Sequence, residues 1–234
     1  MINVIDHKLM GKSERGWLHS TFHFSFAEYY NPDNIQFGAL RVVNDDVFDP
    51  QGGFSTHPHE NMEIISYVVE GNLTHADSMG NERELEKGQV QYMSAGTGVT
   101  HSEFNKADKP LRFLQIWILP DRTGHTPNYG DYRFKWEERV GKWLQIASSK
   151  QGNAPIKINQ DMDVSVVSLK SQESISYDIR SERQVYLIQI EGNGSVNGQA
   201  LQQRDAAEIS KETSITLKAN TDSHYILFDM PESD

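Results

Sequence analysis

The stretch Glu63-Ile-Ile-Ser-Tyr-Val-Val-Glu-Gly-Asn72 decides the fold class of this chain. Its first seven residues are rich in β-branched and aromatic side chains, which is typical of a strand packed against a core. Glu70-Gly-Asn72 then supplies the turn chemistry of a hairpin. Similar runs predict further strands at Leu40–Val43, Val90–Met93, Leu111–Leu119, Val164–Leu169, Val185–Ile190, Ser214–Leu217 and Tyr225–Phe228. Many short strands favour an all-β sandwich or barrel, with residues 135–143 as the one weak helix candidate.

The hairpin pattern occurs twice. Tyr67-Val-Val-Glu-Gly-Asn72 has a counterpart in Ile188-Gln-Ile-Glu-Gly-Asn193, which lies 121 residues later (191 − 70). Self-similarity at a fixed offset indicates a duplicated structural unit. We therefore predict two tandem β-barrels, residues 1–133 and residues 134–234, with a Pro/Gly/Tyr-containing connector near residues 120–135.

Composition restricts the partners of the chain. The formal net charge is −11, from 22 basic and 33 acidic residues, and no run of Lys or Arg offsets it locally, so direct nucleic-acid binding is not expected. No apolar run approaches the roughly eighteen residues of a membrane helix, and no secretory signal is visible, which fits a cytoplasmic protein. Cysteine is absent, so any metal must bind to nitrogen and oxygen ligands.

Two short motifs carry the predicted chemistry. His57 and His59 are two residues apart, so on a strand both side chains project to one side, roughly 7 Å apart at Cα. His101 and Glu103 form another pair with the same spacing, 42 residues after His59. Two such pairs on facing strands would place three imidazoles and one carboxylate around a common point, which suits a transition metal. Spacing alone leaves Glu63 as another plausible oxygen ligand.

The glycine context of these pairs resembles the two motifs of the cupin superfamily. The first motif appears as His57-x-His59-x3-Glu63, with Gly71 closing the strand pair. The second runs from Gly88 through Ser94-Ala-Gly96 to His101-x3-Asn105. It departs from the general pattern because Ser94 replaces proline and two extra residues precede His101. Both departures are features of the pirin branch.

The resemblance to pirins is closer and dense over the first 120 residues. It is carried by Gly16-Trp-Leu18, Phe24-Ser-Phe26, Leu40-Arg-Val-Val-Asn-Asp-Asp46, Gly53-Phe-x-Thr-His-Pro-His59, Met62-Glu-Ile64, His75-x-Asp-Ser-x-Gly-Asn81, Met93-Ser-Ala-Gly-x-Gly98, His101-Ser-Glu-x-Asn105 and Gln115-Ile-Trp-Ile118. The chain looks most like bacterial pirin-like quercetin 2,3-dioxygenases. One mismatch, Phe22-His23 where the family reads His-Thr, means that no role is transferred to His23.

The resemblance implies a bicupin of two jelly-roll-type barrels and one metal site in the first. Its ligands would be His57, His59, His101 and Glu103, with Glu63 in reserve or orienting an imidazole. The metal implied is Fe(II), although Mn, Co, Ni, Cu or Zn would also suit these ligands. The second barrel is expected to be metal-free, because Asp178-Ile-Arg180 falls where the histidine pair would repeat.

The implied activity is cleavage of the heterocyclic ring of flavonols such as quercetin by O₂, with release of carbon monoxide and Glu103 taking the hydroxyl proton. The alternative is a non-enzymatic iron-binding regulator that acts through protein contacts. A monomer is expected. An aromatic pocket could draw on Phe24, Phe26, Phe54, Met62, Phe104 or Trp117. The isolated histidines are expected to lie at the surface or to be locally hydrogen-bonded: His7, His19, His75, His125 and His224.

Overall fold

The computed structural model describes residues 1–232 and consists almost entirely of strands. In chain order the strands are β1 (Ile2–Ile5), β2 (Gly11–Glu14), β3 (Leu18–Phe22), β4 (Leu40–Phe48), β5 (Gly53–His59), β6 (Glu63–Glu70), β7 (Asn72–Asp77), β8 (Glu82–Glu86), β9 (Val90–Ser94), β10 (Val99–Phe104), β11 (Leu111–Ile118), β12 (Asn128–Tyr132), β13 (Leu144–Ser149), β14 (Ile156–Ile158), β15 (Asp163–Leu169), β16 (Ser174–Asp178), β17 (Arg183–Glu191), β18 (Gly194–Val196), β19 (Gln199–Leu201), β20 (Ala206–Ile209), β21 (Ser214–Ala219) and β22 (Ser223–Pro231). Two short 3-10 helices, His7–Leu9 and Trp136–Arg139, complete the regular structure of this range. The predicted helix over 135–143 is therefore reduced to four residues. Among residues 1–232, no helix has the length and apolar character that a membrane span requires.

The described chain divides into two compact units. The first barrel comprises Gly11–Phe134 and Ile158–Gln160, and the second barrel comprises Met1–Met10, Lys135–Lys157 and the chain from Asp161 onward. The predicted domains, 1–133 and 134–234, differ from these units at residues 1–10, at residue 134 and at residues 158–160. Residues 1–10 belong to the second barrel because β1 pairs antiparallel with β20. Residues 233 and 234 of the predicted second domain lie outside the described residues.

The first barrel contains two sheets. Seven strands form the larger sheet in the order β12-β9-β6-β11-β4-β3-β2, and four form the smaller one in the order β5-β10-β7-β8. One apolar cluster of this unit contains Phe48, Leu73 and Phe113, which are fully buried. A second, smaller cluster joins Met93 to partly buried Trp117.

The second barrel repeats this plan. Its sheets have the orders β1-β20-β17-β22-β15-β13-β14 and β16-β21-β18-β19. Strands β4 to β11 of the first barrel thus correspond one for one to β15 to β22 of the second. The prediction of two tandem all-β barrels is confirmed.

The repeated hairpin has a steric basis in both barrels. Gly71, between β6 and β7, adopts φ +79°, and a Cβ atom there would lie 2.6 Å from the carbonyl oxygen of Pro110. Gly192, between β17 and β18, adopts φ +77°, and its Cβ would collide with the carbonyl oxygen of Asp222. Positive φ together with no room for a side chain requires glycine at both turns.

Candidate metal centre

Strands β5 and β10 bring three histidines together in the first barrel. They pair antiparallel with His101 directly opposite His57, and His59 lies two residues further along β5 on the same side. The three ring centroids are 4.5 to 4.8 Å apart. One ligating atom from each ring lies within 4.8 Å of the others, which is compatible with a shared ion.

Burial favours the neutral form of two of these imidazoles, His59 and His101. Burial, followed by the neighbouring His57 and His75, lowers the pKa of His101 to about 3. Burial, followed by His101, lowers the pKa of His59 to about 4. Nδ1 of His57 lies 2.8 Å from the carbonyl oxygen of Ser55 and must donate to it, so Nε2 of His57 is the lone-pair nitrogen. Neutral imidazole is the form that binds metals.

His101 provides the observation that most favours a ligand at this point. Its side chain is buried, yet its Nε2 atom has no hydrogen-bond partner among the described residues. Most buried side-chain polar atoms in proteins have a partner, so an unpaired buried nitrogen calls for an explanation. A metal ion shared with His57 and His59 would satisfy it.

Glu103 lies two residues beyond His101 on β10 and is completely buried. Ser66 Oγ donates to its Oε1 atom at 2.8 Å and Gln91 Nε2 donates to the same atom at 3.1 Å. Gln115 Nε2 donates to Oε2. Three donors hold the carboxylate in one orientation. Its ligating oxygen lies within 4.8 Å of ligating nitrogens of His101 and His75, forming a second group that shares His101 with the first.

Glu63, the reserve ligand of the sequence analysis, belongs to neither group. Its buried carboxylate accepts hydrogen bonds from the hydroxyls of Tyr92 and Ser94 and from the backbone N–H and side-chain amide of Asn159. None of these partners is an imidazole. Glu63 therefore has a structural role, because its carboxylate binds Asn159 and so holds residues 158–160 against the first barrel.

His75 lies closer to the proposed ligands than its isolated place in the sequence indicates. It is hydrogen-bonded locally as expected, with Nε2 3.1 Å from Asp77 Oδ2, but it is neither isolated nor at the surface. Its ring stacks on Tyr129, and its Nδ1 lies 3.5 Å from Nδ1 of His101. The register of β7 against β10 explains this, because Glu103 faces His75 and His101 faces Asp77. The His75-x-Asp77 spacing was the only signal in the sequence.

The four remaining histidines that the sequence marks as isolated follow the expectation of local pairing. Each lies beside a carboxylate: His7 beside Asp205, His19 beside Glu14, His125 beside Asp121 and His224 beside Glu191. His125 and His224 are nevertheless buried rather than exposed.

A cleft of about 290 Å³ opens beside His57 and His59. Of the six aromatic or apolar residues suggested from the sequence, Phe26, Phe54 and Trp117 line it, together with Phe22. The remaining three are not among its lining residues: Phe24, Met62 and Phe104. A polar part of its wall is formed by Ser20, Asn44, Asp46 and Gln115. An apolar cavity with a few polar groups is the usual form of a small-molecule site.

The second barrel has no equivalent arrangement among the described residues. No histidine lies on β16 or β21, the two strands that correspond in sheet order to β5 and β10. The one further group of ligand-type side chains in the described residues is Asp6, His7 and Asp205, near the start of the chain. It contains one exposed carboxylate and no unpaired buried atom.

Comparison with known proteins gives consistent results. Residues 5–118 match the family model described as Pirin, and residues 145–230 match that of a quercetinase C-terminal cupin domain. A quercetin 2,3-dioxygenase of Escherichia coli K12 is 42% identical over 222 residues, 94% of this chain and 95% of that protein. A pirin-like protein of Caulobacter vibrioides is 42% identical over 97% of this chain and 99% of its own. The crystal structure of the bacterial pirin YhhW from E. coli in complex with nickel(II) aligns with a TM-score of 0.93 at 39% identity and covers both chains fully.

Proposed function

The chain belongs to the pirin family, and we propose that it is a metal-dependent dioxygenase that cleaves flavonols such as quercetin. The observation that carries this proposal is the meeting of His57, His59 and His101 at the wall of an aromatic-lined cleft. A relative that supports it is the E. coli K12 protein named quercetin 2,3-dioxygenase, which is 42% identical over 222 residues.

We propose that the metal is held by His57, His59, His101 and Glu103. The residues fit such an ion, because the buried Nε2 of His101 has no partner among the described residues and the three imidazoles lie close enough together to share one ion. A bound divalent metal would act as a Lewis acid that makes a substrate hydroxyl more acidic. Fe(II) is the proposed metal. Mn, Co, Ni, Cu and Zn accept the same donor set, and the YhhW relative carries nickel(II).

Glu103 is proposed as the oxygen ligand and as the acceptor of the substrate's hydroxyl proton. Ser66, Gln91 and Gln115 donate to its two oxygens and fix their orientation. These donors lie on β6, β9 and β11, neighbouring strands of the large sheet. The small sheet therefore supplies the proposed ligands, while the large sheet supplies the groups that position the carboxylate.

The cleft would hold the flat substrate beside these ligands. The rings of Phe26 and Trp117 pack edge to face, with centroids 5.4 Å apart, and Trp117 also contacts His59. Such a wall favours a planar aromatic guest and excludes water from it. Opening of the oxygen-bearing ring by O₂, with loss of carbon monoxide, is the reaction proposed for the bound flavonol.

The proposal is tested by following quercetin absorbance under air with the iron-loaded protein. Loss of the flavonol band is expected with the wild type and not with His57→Ala or Glu103→Ala. His19→Ala serves as the matched control, because His19 is exposed and pairs with Glu14 outside the site. Turnover that survives both site substitutions would contradict the proposal. A fully loaded wild type without turnover would favour the alternative, an iron-binding regulator.

A further inference from the structure

The polar wall of the cleft contains a buried acid with no basic partner. Asp46 on β4 is 1% exposed and lines the cleft that His57 and His59 border. Among the described residues, its only side-chain hydrogen bond is from Ser20 Oγ on β3, at 2.5 Å to Oδ1. Within residues 1–232 no arginine or lysine pairs with it, and Arg112 instead forms a two-point ion pair with the adjacent residue, Asp45.

This arrangement is costly for the protein alone. Burial raises the pKa of Asp46 to about 7, an effect that Ser20 only partly offsets and that nearby Asp45 and Glu103 increase. Buried carboxylates in proteins are normally paired with a cation or coordinate a metal. Asp46 does neither within the described residues, so a partner from outside the chain would satisfy it.

Asn44 gives a second and independent sign of the same kind. It lies two residues before Asp46 on β4, so both side chains point to the same face of the sheet. Its Oδ1 atom is buried without a hydrogen-bond partner among the described residues. Asn44 also lines the cleft. Two neighbouring hydrogen-bond acceptors thus line a cavity that aromatic rings also line.

We propose that Asp46 and Asn44 bind hydroxyl groups on the ring of the aromatic substrate, so that the cleft selects hydroxylated over unsubstituted rings. The inference rests on the proposed function in that it assigns the same occupant to the same cleft. A phenolic hydroxyl donates to the free oxygen of Asp46 or to the amide oxygen of Asn44, and the apolar remainder of the ring packs against Phe26 and Trp117. Asp46 and Asn44 would be specificity-determining residues, distinct from the proposed metal ligands.

Such a site discriminates strongly between related molecules. When a pocket is built to hydrogen-bond a hydroxyl, an analogue without that group leaves buried polar atoms unpaired and binds much more weakly. An analogue with its ring hydroxyls capped by methyl groups would suffer the same loss, because a methyl ether has no O–H to donate.

The test measures binding rather than turnover. Calorimetry without O₂ compares quercetin with 3-hydroxyflavone, which keeps the 3-hydroxyl but lacks the other four, on the metal-loaded protein. The wild type is expected to prefer quercetin by about tenfold or more. In Asp46→Asn, which keeps the size of the side chain and an acceptor for Ser20, quercetin binding should weaken about tenfold while 3-hydroxyflavone binding stays within twofold. Asn44→Ala is the second variant and should shift the preference in the same direction.

Asp163→Asn is the matched control, since Asp163 is a partly buried carboxyl of the second barrel whose pKa is also raised by burial. It should leave both affinities unchanged. Equal losses for both flavonols in Asp46→Asn and Asn44→Ala, or no loss for either, would overturn the inference while leaving the proposed function intact. A preference for quercetin that depends on Asp46, without any turnover under air, would support the inference and contradict the proposed activity. A wild type that binds neither flavonol would overturn both.

Discussion

The two barrels share one strand order and differ in what lines their small sheets. In the first barrel, the buried positions of β10 are Val99, His101 and Glu103. In the second, the buried positions of the corresponding strand β21 are Ile215, Leu217 and Ala219, all part of one apolar cluster. The same backbone plan thus supports a polar site in one copy and a closed core in the other. Function here depends on a few side chains at alternating strand positions.

The treatment of buried acids differs in the same way. In the second barrel, Asp229 receives hydrogen bonds from Arg183 and from the hydroxyl of Tyr177. In the first barrel, Asp46 accepts a side-chain hydrogen bond only from Ser20 among the described residues. The buried acid of the second barrel is thus paired with a cation of the same chain, whereas Asp46 retains an oxygen for the proposed ligand.

The largest expected effect separates the barrels by metal content. His101→Ala should reduce bound metal from about one equivalent to near zero, with at least a hundredfold loss of affinity, because it removes the central imidazole of the site. His224→Ala, a buried histidine of the second barrel, should leave the metal content unchanged. Elemental analysis after gel filtration checks both variants. Equal metal loss in the two variants would remove the proposed distinction between the barrels.

A core substitution in the second barrel should change the free energy of unfolding rather than the metal content. Leu217 is completely buried in its apolar cluster, so Leu217→Ala should lower the free energy of unfolding by about 2–5 kcal/mol. Metal content of the folded fraction should not change. Urea titration followed by circular dichroism measures the loss. A variant that unfolds as the wild type does but binds less metal would contradict the assignment of this barrel to support.

Asp46 should make the stability of the first barrel depend on pH. Its folded pKa, about 7, lies above its ordinary value, so the folded state retains the proton longer than the unfolded state does. Its stabilising contribution is complete below pH 4 and is lost as the pH rises through 7. Asp46→Asn should therefore be more stable than the wild type at pH 8, by about 4 kcal/mol for a shift of about three pKa units, and similar at pH 4. Asp229→Asn should instead destabilise at pH 8, because it breaks a buried ion pair.

Thermal unfolding of the metal-free proteins at the two pH values provides this measurement. A wild type and an Asp46→Asn variant with parallel pH profiles would show that Asp46 ionises as an exposed carboxyl does.

The smallest of the effects concerns His75. Its hydrogen bond to Asp77 and its position beside His101 and Glu103 indicate that it orients the proposed ligands. Its replacement in His75→Phe should weaken metal binding about tenfold, the lower end of what such supporting groups contribute. Competition with a chelator of known affinity measures the change. His7→Phe, on the second barrel, should have no effect, and an equal loss there would contradict the assignment.

The features of this molecule that depend on local periodicity could be predicted from the sequence. The hairpins at Gly71 and Gly192 follow from turn chemistry, and the convergence of His57 and His59 follows from the two-residue period of a strand. These features require no knowledge of distant partners. The fold class and the histidine cluster could therefore be predicted.

The remaining features depend on which strands pair and in what register. His75 joins the site only because β7 aligns it with Glu103, and Asn159 bonds to Glu63 across 96 residues of chain. The isolation of Asp46 depends on Arg112 being taken by its neighbour. Neither periodicity nor composition contains such information. The grouping of the first ten residues with the second barrel could not be predicted for the same reason, since only the pairing of β1 with β20 places them there.

The most direct test of the central claim is X-ray absorption spectroscopy at the metal edge of the loaded protein. Three imidazole nitrogens and one carboxylate oxygen at about 2.0–2.2 Å from a single ion are predicted. The multiple-scattering signal of one imidazole should disappear in His59→Ala and persist in His224→Ala. A first shell without imidazole scattering, or one unaffected by His59→Ala, would contradict the claim that β5 and β10 together hold the metal.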